Sequence, residues 1–540
     1  MRRTAKLFRK KQPIVIDRLE EGTAKYRGQP LPSCIEQSID FLQNVLGKSS
    51  DVIIHRFEIP SPAKQRAALA YIDGLVKQEA VNDFILRPLL RADVPYEENR
   101  LQTPVWERIP MSDTRFLDDW QQVLRAVLSG DTVIFFDQHE RCLSVSTKGW
   151  EKRGVEEPST ESVVRGPRDG LTETLRINTA HIRRRVKDPN LRVQNVKVGY
   201  RTDTDVAILY IEDIANPKIL QTIRSRIENI EIDGAFESGY IEQFIEDHPW
   251  SPFPQIQNTE RPDKVAASLL EGKIAILVDG TPFALIAPAI FSQFYNSPED
   301  YYERFLIATL IRFIRIISML MALMLPSLYI AFSSFHPEMI PSKLVIAMAA
   351  GRATVPFPSV LEAFLMEVTM EILREASVRL PGPVGPTIGI VGALVVGESA
   401  VRAGIVSPIM VIIVALTTIG SFASPSYSAA ISLRMLRFPM MLFSGTFGLY
   451  GVMLFLIIII IHLCSIESFG VPYLTPWAPR MFSGWKDTFF RTPLYRLLKR
   501  PLYTLPQESN RTSDTVTRKG KKRGKKGDTN EQTESFDRNG

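Results

Sequence analysis

Cysteine and histidine are scarce: three Cys and six His among 540 residues. Cys34, Cys142 and Cys464 lie far apart, and Cys464 falls in an apolar run, which argues against a disulfide framework or a zinc site. The six histidines show no metal-ligand spacing. Walker, HExxH, GxSxG and CxxC sequences are all missing, and the glycines of 382–392 do not form GxGxxG. No enzymatic chemistry and no cofactor is therefore expected. The N-terminus, "MRRTAKLFRKKQPIVIDRLEEG", starts basic but lacks an apolar h-region of ~7–15 residues. No secretory signal is read there, and the N-terminal half is expected to stay cytoplasmic.

Charge is missing from long stretches of the second half. The chain is mixed and charged up to about Arg304, mostly apolar from Phe305 to Ile466, and basic after Pro479, with a net charge of +6. A spanning helix needs ~20 apolar residues to cross ~30 Å of hydrocarbon. Residues 316–335 and 438–461 meet that condition, and 403–433 is long enough for one span followed by a break at "SPSYS". With "LPGPVGPTIGIVGALVVGESAVR" (380–402), spans are expected at about 312–335, 384–402, 405–423 and 438–464. Arg312 and Arg315 would snorkel to an interface. Residues 283–297 and 343–380, which carry prolines or charges, are expected to be re-entrant or amphipathic. The tail "RKGKKRGKK" (518–526) marks a cytoplasmic C-terminus. Four spans keep both ends on one side, but Arg434 and Arg437 then fall in an outer loop unless Ser424–Leu433 is re-entrant.

The first half carries an internal echo. "ALAYID" (68–73) resembles "AILYIE" (207–212) at an offset of 139, and "LSGDTVIFFD" (128–137) resembles "LEGKIAILVD" (270–279) at an offset of 142. Two echoes in order imply two similar units of strands and helices. The fold class read from this is α+β: two similar cytosolic subdomains followed by an α-helical multispan membrane domain. Its boundaries are an N-terminal arm 1–34, subdomains 35–140 and 195–282, a connecting segment 141–194 with a basic helix, a membrane domain 283–470, a juxtamembrane segment 471–506 and a disordered basic tail 507–540. In the connecting segment Arg165, Arg168, Arg183 and Arg184 form a candidate contact surface for anionic lipid, nucleotide or a partner subunit, with a solvated helix of paired charges as the alternative.

One constellation stands out in the apolar half. In "FPSVLEAFLMEVTMEILREASVRL" (357–380), Glu367, Glu371, Arg374 and Glu375 fall within about 100° of one helical face. Glu362 lies opposite, among Met366 and Met370. Ionisable residues at membrane depth are functional candidates. A ring of such helices would make either Glu362 or the face of Glu367, Glu371 and Glu375 a cation-attracting lining; alternatively Met366 and Met370 form an apolar gate. An interfacial helix with its acidic face in water is the alternative. Gly385, Gly389 and Gly392 are read as small residues that let helices pack closely. Glu398 and Arg402 can pair at i and i+4.

The stretch "FPSVLEAFLMEVTMEILREASVRLPGPVGPTIGIVGALVVGESAVRAGIVSPIMVIIVALTTIGSFASPSYSAAISLRMLRFP" resembles the A subunit of the GerA-type spore germinant receptors of Bacillus and its relatives. So do "ESVVRGPRDGLTETLRINTAHIRRRVKDP" and "LLEGKIAILVDGTPFALIAPAIFSQFYNSPEDYYERF"; together the likeness covers roughly 30–490. The resemblance implies an integral protein of the spore inner membrane, partnered by a transporter-like B subunit and a lipoprotein C subunit in nutrient sensing. It also implies a homo-oligomeric ring in the lipid bilayer that acts as a nutrient-gated cation channel and triggers germination, with no nucleic acid as partner. It transfers no pore residue, so the assignments above rest on the helical face alone. A secondary transporter of the nutrient and a membrane-anchored scaffold are the rival readings.

Overall fold

A computed structural model describes residues 23–47, 49–60, 65–91, 105–149, 157–158, 160–378, 392, 395–481 and 484–511. Gly385, Gly389, just over half of the span expected at 384–402, residues 1–22 of the N-terminal arm and nearly all of the basic tail lie outside the described residues.

The first half holds two five-stranded antiparallel sheets of one design. The first contains β1 (Val52–Ile59), β2 (Gln65–Ile72), β3 (Thr114–Leu117), β4 (Thr132–Phe136) and β5 (Cys142–Val145), in the order β1-β2-β4-β5-β3. The second contains β6 (Leu191–Val198), β7 (Thr204–Ile211), β8 (Gln257–Thr259), β9 (Ile274–Val278) and β10 (Ala284–Ala287), in the order β6-β7-β9-β10-β8. Position for position the two orders are the same. The echoing sequences are the paired central strands β2/β4 and β7/β9, which are buried on both faces and so read as near-continuous apolar runs.

Helices cover the sheets. In the first unit α1 (Ile35–Leu46) and α2 (Trp120–Leu128) pack on one face, with Trp120, Leu124 and Leu42 in the core. Asp119 caps α2 by accepting from the Gln122 amide at 2.8 Å. Between the units lies α3 (Leu175–Arg185). In the second unit α4 (Pro217–Glu228) and α5 (Ser238–Ile245) cover one face and α6 (Pro262–Leu270) the other. Asn216 and Pro217 start α4 as N-cap and first-turn proline.

Several boundaries differ from the sequence reading. β5 carries the first unit past residue 140, and β6 starts the second before 195. Of the stretch expected to be re-entrant or amphipathic at 283–297, residues 284–287 form β10, which pairs with β9 and β8 inside the second sheet with its side chains buried. The lack of charge over 284–287 reflects a sheet interior. The segment after the apolar half also folds back onto this unit. Ser468 donates to the Gln255 carbonyl at 2.8 Å, Gln293 donates to the Tyr503 hydroxyl at 2.6 Å, and Gln507 donates to the Ala215 carbonyl at 2.7 Å.

The apolar half consists of α7 (Phe305–Ser334), α8 (Ser342–Arg352), α9 (Ser359–Val378), α10 (Pro408–Phe422) and α11 (Tyr427–Ser465), and residues 395–402 are also helical. Two of these, α7 and α11, are long and apolar enough to cross a membrane. The stretch expected to span at 438–464 lies within α11. At Gly448 (φ 60°, ψ −138°) α11 reverses, and the Phe443 and Phe455 rings meet at 5.2 Å across the hairpin. Its arms, 427–447 and 449–465, are about 31 Å and about 26 Å long at 1.5 Å per residue.

Contacts order the helices along one axis. α7 leaves the sheets at Arg312 and ends at Phe335, beside Gly448. The first arm of α11 runs parallel to α7, since Arg437 bonds the Ala322 carbonyl and Ser444 the Ser327 carbonyl. Both α9 and α10 run back toward the sheets. Ser359 meets Ser334 at the distal end of α9 and Arg374 meets Ser421 near its sheet-proximal end, while Tyr329 meets Ser407 where α10 begins.

Candidate functional site: a buried charge ladder

The charged residues of α9 meet arginines of the neighbouring helices, and the result is a ladder along the apolar bundle. At the distal end Glu362, fully buried, accepts from the Ser407 amide at 2.5 Å and lies 3.7 Å from the Arg352 guanidinium. Ser407 also caps α10 by accepting from the Met410 amide, so Glu362 fixes the start of that helix. One turn further, Glu367 pairs with Arg437, whose Nε donates to the Ala322 carbonyl at 2.7 Å. Both side chains are buried. The next rung is Glu371, which accepts from Arg434 at 2.8 Å and lies 3.3 Å from Arg374. Arg374 in turn donates to the Ser421 hydroxyl at 3.0 Å.

Spacing explains this placement. Glu367, Glu371 and Arg374 recur every three or four residues and so share a face, and Arg434 and Arg437 recur at i and i+3 on the first arm of α11. Two polar stripes that are each one helix face wide meet side by side. Charge held away from water needs partners of opposite sign and further hydrogen bonds. The ladder supplies both along most of its length. Glu362 Oε2, Glu367 Oε1 and Arg437 Nη2 are buried with no hydrogen-bond partner among the described residues.

The site residues named from sequence divide accordingly. Glu362, Glu367 and Met366 are interior, Met370 and Glu371 are half-buried, and Glu375 is exposed. The outer face of α9 is instead apolar, formed by Leu361, Leu365, Val368 and Ile372. Arg434 and Arg437, read from sequence as outer-loop charges, are the ladder's second rail. Their i, i+3 spacing was visible, but their acidic partners lie 63 and 70 residues away. Gly392 packs near Leu373, and Glu398 pairs with Arg402 at 2.6 Å.

A second charged cluster joins the sheets to α7. The Arg312 guanidinium is buried and does not snorkel to an interface. It donates to Asp300 at 2.9 Å and to the Asp487 carbonyl at 2.5 Å, while Arg315 donates to the other Asp300 oxygen at 2.8 Å. Tyr301 donates to Asp487 at 2.6 Å. Burial pushes the Asp487 carboxyl above its usual range, and Arg312 beside it works the other way.

The basic candidate surface also separates. Arg183 is buried and grips Asp51 at 2.7 and 2.9 Å and Ser49 at 2.9 Å, so it joins the two units and offers no contact surface. Arg168 is exposed and pairs with Glu157 at 3.1 Å; Arg165, also exposed, lies 3.9 Å from Glu303, and Arg184 is exposed.

With this geometry in place, comparison with known proteins is specific. The Bacillus/Clostridium GerA spore germination protein family matches residues 40–503. Spore germination protein KA of Bacillus subtilis (strain 168) is 48% identical over 456 residues, 84% of each chain. The uncharacterized membrane protein YfkQ of the same organism is 43% identical over 476 residues, covering 88% of this chain and 92% of that one. Among solved structures, the N-terminal domain of the A subunit of the Bacillus megaterium spore germinant receptor GerK3 is 39% identical. That structure covers 48% of this chain and 97% of its own, with a TM-score of 0.39. The chain belongs to the Bacillus/Clostridium GerA family of spore germination proteins.

Proposed function

We propose that this chain is the A-type subunit of a nutrient-sensing germinant receptor in the spore inner membrane, with both termini on the core side. It assembles with copies of itself into a ring and works with a transporter-like B subunit and a lipoprotein C subunit. Nutrient binding to the complex opens a cation path through the ring and starts germination. The observation that carries this reading is the charge ladder: four arginines and three glutamates at the depth of apolar helices, in a chain whose relatives are germination proteins. Ionisable residues at such depth are costly and are retained where they serve ions or switching.

In this reading the described arrangement is the closed one. Arg434 and Arg437 neutralise the acidic face of α9, so a cation gains nothing by approaching it. Opening slides α9 against the first arm of α11 and frees Glu371, which joins Glu375 in facing the path. Glu362 and Glu367 hold the helix, and Met366 and Met370 seal the route. Driving such a pair of states from 1:99 to 99:1 takes about 5.5 kcal/mol of differential binding, which several subunits can share.

The test is nutrient-triggered potassium release from spores carrying Glu371→Gln at normal receptor abundance. Altered release rate or nutrient threshold is expected. Release identical to wild type refutes the role given to Glu371.

A further inference from the structure

Trp250 is 99% exposed, an unusual position for the largest apolar side chain. It sits in "HPWSPFPQ" (248–255), the connection between α5 and β8, where Pro249, Pro252 and Pro254 restrict the backbone. The loop is pinned just C-terminal to Trp250. Ser251 meets His462 at 2.9 Å near the end of the second arm of α11. The Pro252 carbonyl accepts from Ser432, five residues inside the start of the first arm. Phe253 is buried, 6.2 Å ring to ring from His462. At 1.5 Å per residue, Ser432 lies about 7 Å along the helix from Tyr427. A loop of the sheet domain therefore reaches the level of the sheet-proximal helix ends.

Two other exposed aromatic residues share that level. Phe422 (71% exposed) and Tyr427 (60% exposed) flank the turn between α10 and α11. Trp477, Trp485 and Phe490, in the segment that follows α11, are also exposed. Arginines stack on three of these rings: Arg374 on Phe422 at 5.0 Å, Arg434 on Tyr427 at 5.9 Å and Arg480 on Trp485 at 5.5 Å. Aromatic rings beside basic groups at the ends of apolar helices suit the headgroup boundary of a bilayer, where an apolar ring and a polar edge are both satisfied.

We infer that Trp250 inserts into the headgroup boundary on the sheet side of the membrane, so that the second sheet unit docks directly onto lipid. This rests on the membrane reading above. The proline-rich loop holds the ring out before it meets lipid, which keeps the ordering cost low. The occupant is lipid because the loop is continuous with the helix ends through Ser251 and Pro252, and because the neighbouring exposed rings share that level.

The test uses the full chain reconstituted into vesicles of phosphatidylcholine and phosphatidylglycerol, with or without bromine on the upper acyl carbons. Flotation of wild type and Trp250→Phe with the vesicles comes first; failure to float overturns the membrane reading and this proposal with it. The wild-type minus Trp250→Phe emission isolates Trp250, and Trp250→Tyr gives the same subtraction should the Phe variant fold poorly. The expected difference spectrum is blue-shifted and loses most of its intensity in brominated vesicles. A red-shifted, unquenched difference places Trp250 in water. A blue-shifted but unquenched one places it against protein, such as a second copy, and either result overturns the proposal.

Discussion

Glu367 and Arg437 are both almost fully buried and bonded to each other across α9 and α11. Replacing Glu367 by Gln leaves the Arg437 charge with the Ala322 carbonyl as its strongest remaining acceptor. Removing one member of a buried pair costs about 3–5 kcal/mol, whereas replacing both with apolar groups of similar volume is often close to neutral. Glu367→Gln and Arg437→Met should therefore each lower the unfolding free energy of the detergent-purified full chain by about 3–5 kcal/mol. The double variant, which keeps a buried amide at position 367, should recover part of that loss, giving a coupling energy of at least about 2 kcal/mol. A denaturant series on all four proteins, followed by helical circular dichroism, measures the cycle. Additive single effects below about 1 kcal/mol would mean that Glu367 is solvated, and the ladder would be refuted.

Gly448 turns the α11 hairpin at positive φ, and an added Cβ would come within 2.8 Å of the Phe335 side chain. Gly448→Ala should destabilise the folded chain by roughly 1–3 kcal/mol, read as a lower denaturant midpoint; an unchanged midpoint contradicts the reversal. Lys273 is buried in the second unit, and burial pushes its ammonium from the usual value down to about 8. Below that pH the folded chain holds a buried charge; between about 8 and 10.5 the unfolded state binds more protons, so stability rises with pH and is fully regained above 10.5. Thermal melts should therefore show a rise between pH 8 and 10 that Lys273→Met removes, with a higher melting temperature for the variant at pH 7.

The paired units could be read from sequence because β2, β4, β7 and β9 are central strands whose apolar runs echo one another. Residues 284–287 were ambiguous for a related reason: a strand buried on both faces and a membrane segment both lack charge, and pairing with β9 and β8 makes these four a strand. The apolar composition of 438–461 carries no mark of the reversal at Gly448, since Gly is common in apolar helices that merely pack closely. The acidic face of α9 was legible from its spacing, but its electrostatic state was not. Whether Glu371 faces water or Arg434 depends on a helix 63 residues downstream. Arg183 misled in the same way, because its partner Asp51 lies 132 residues upstream.

The proposed ion path through this chain can be measured directly. The direct measurement is conductance across a planar bilayer containing the purified chain together with its B- and C-type partners, before and after nutrient addition. A cation-selective current that appears with nutrient and is altered by Glu371→Gln is expected. Saturable nutrient uptake without any current, or no response in either assay, contradicts the proposed path.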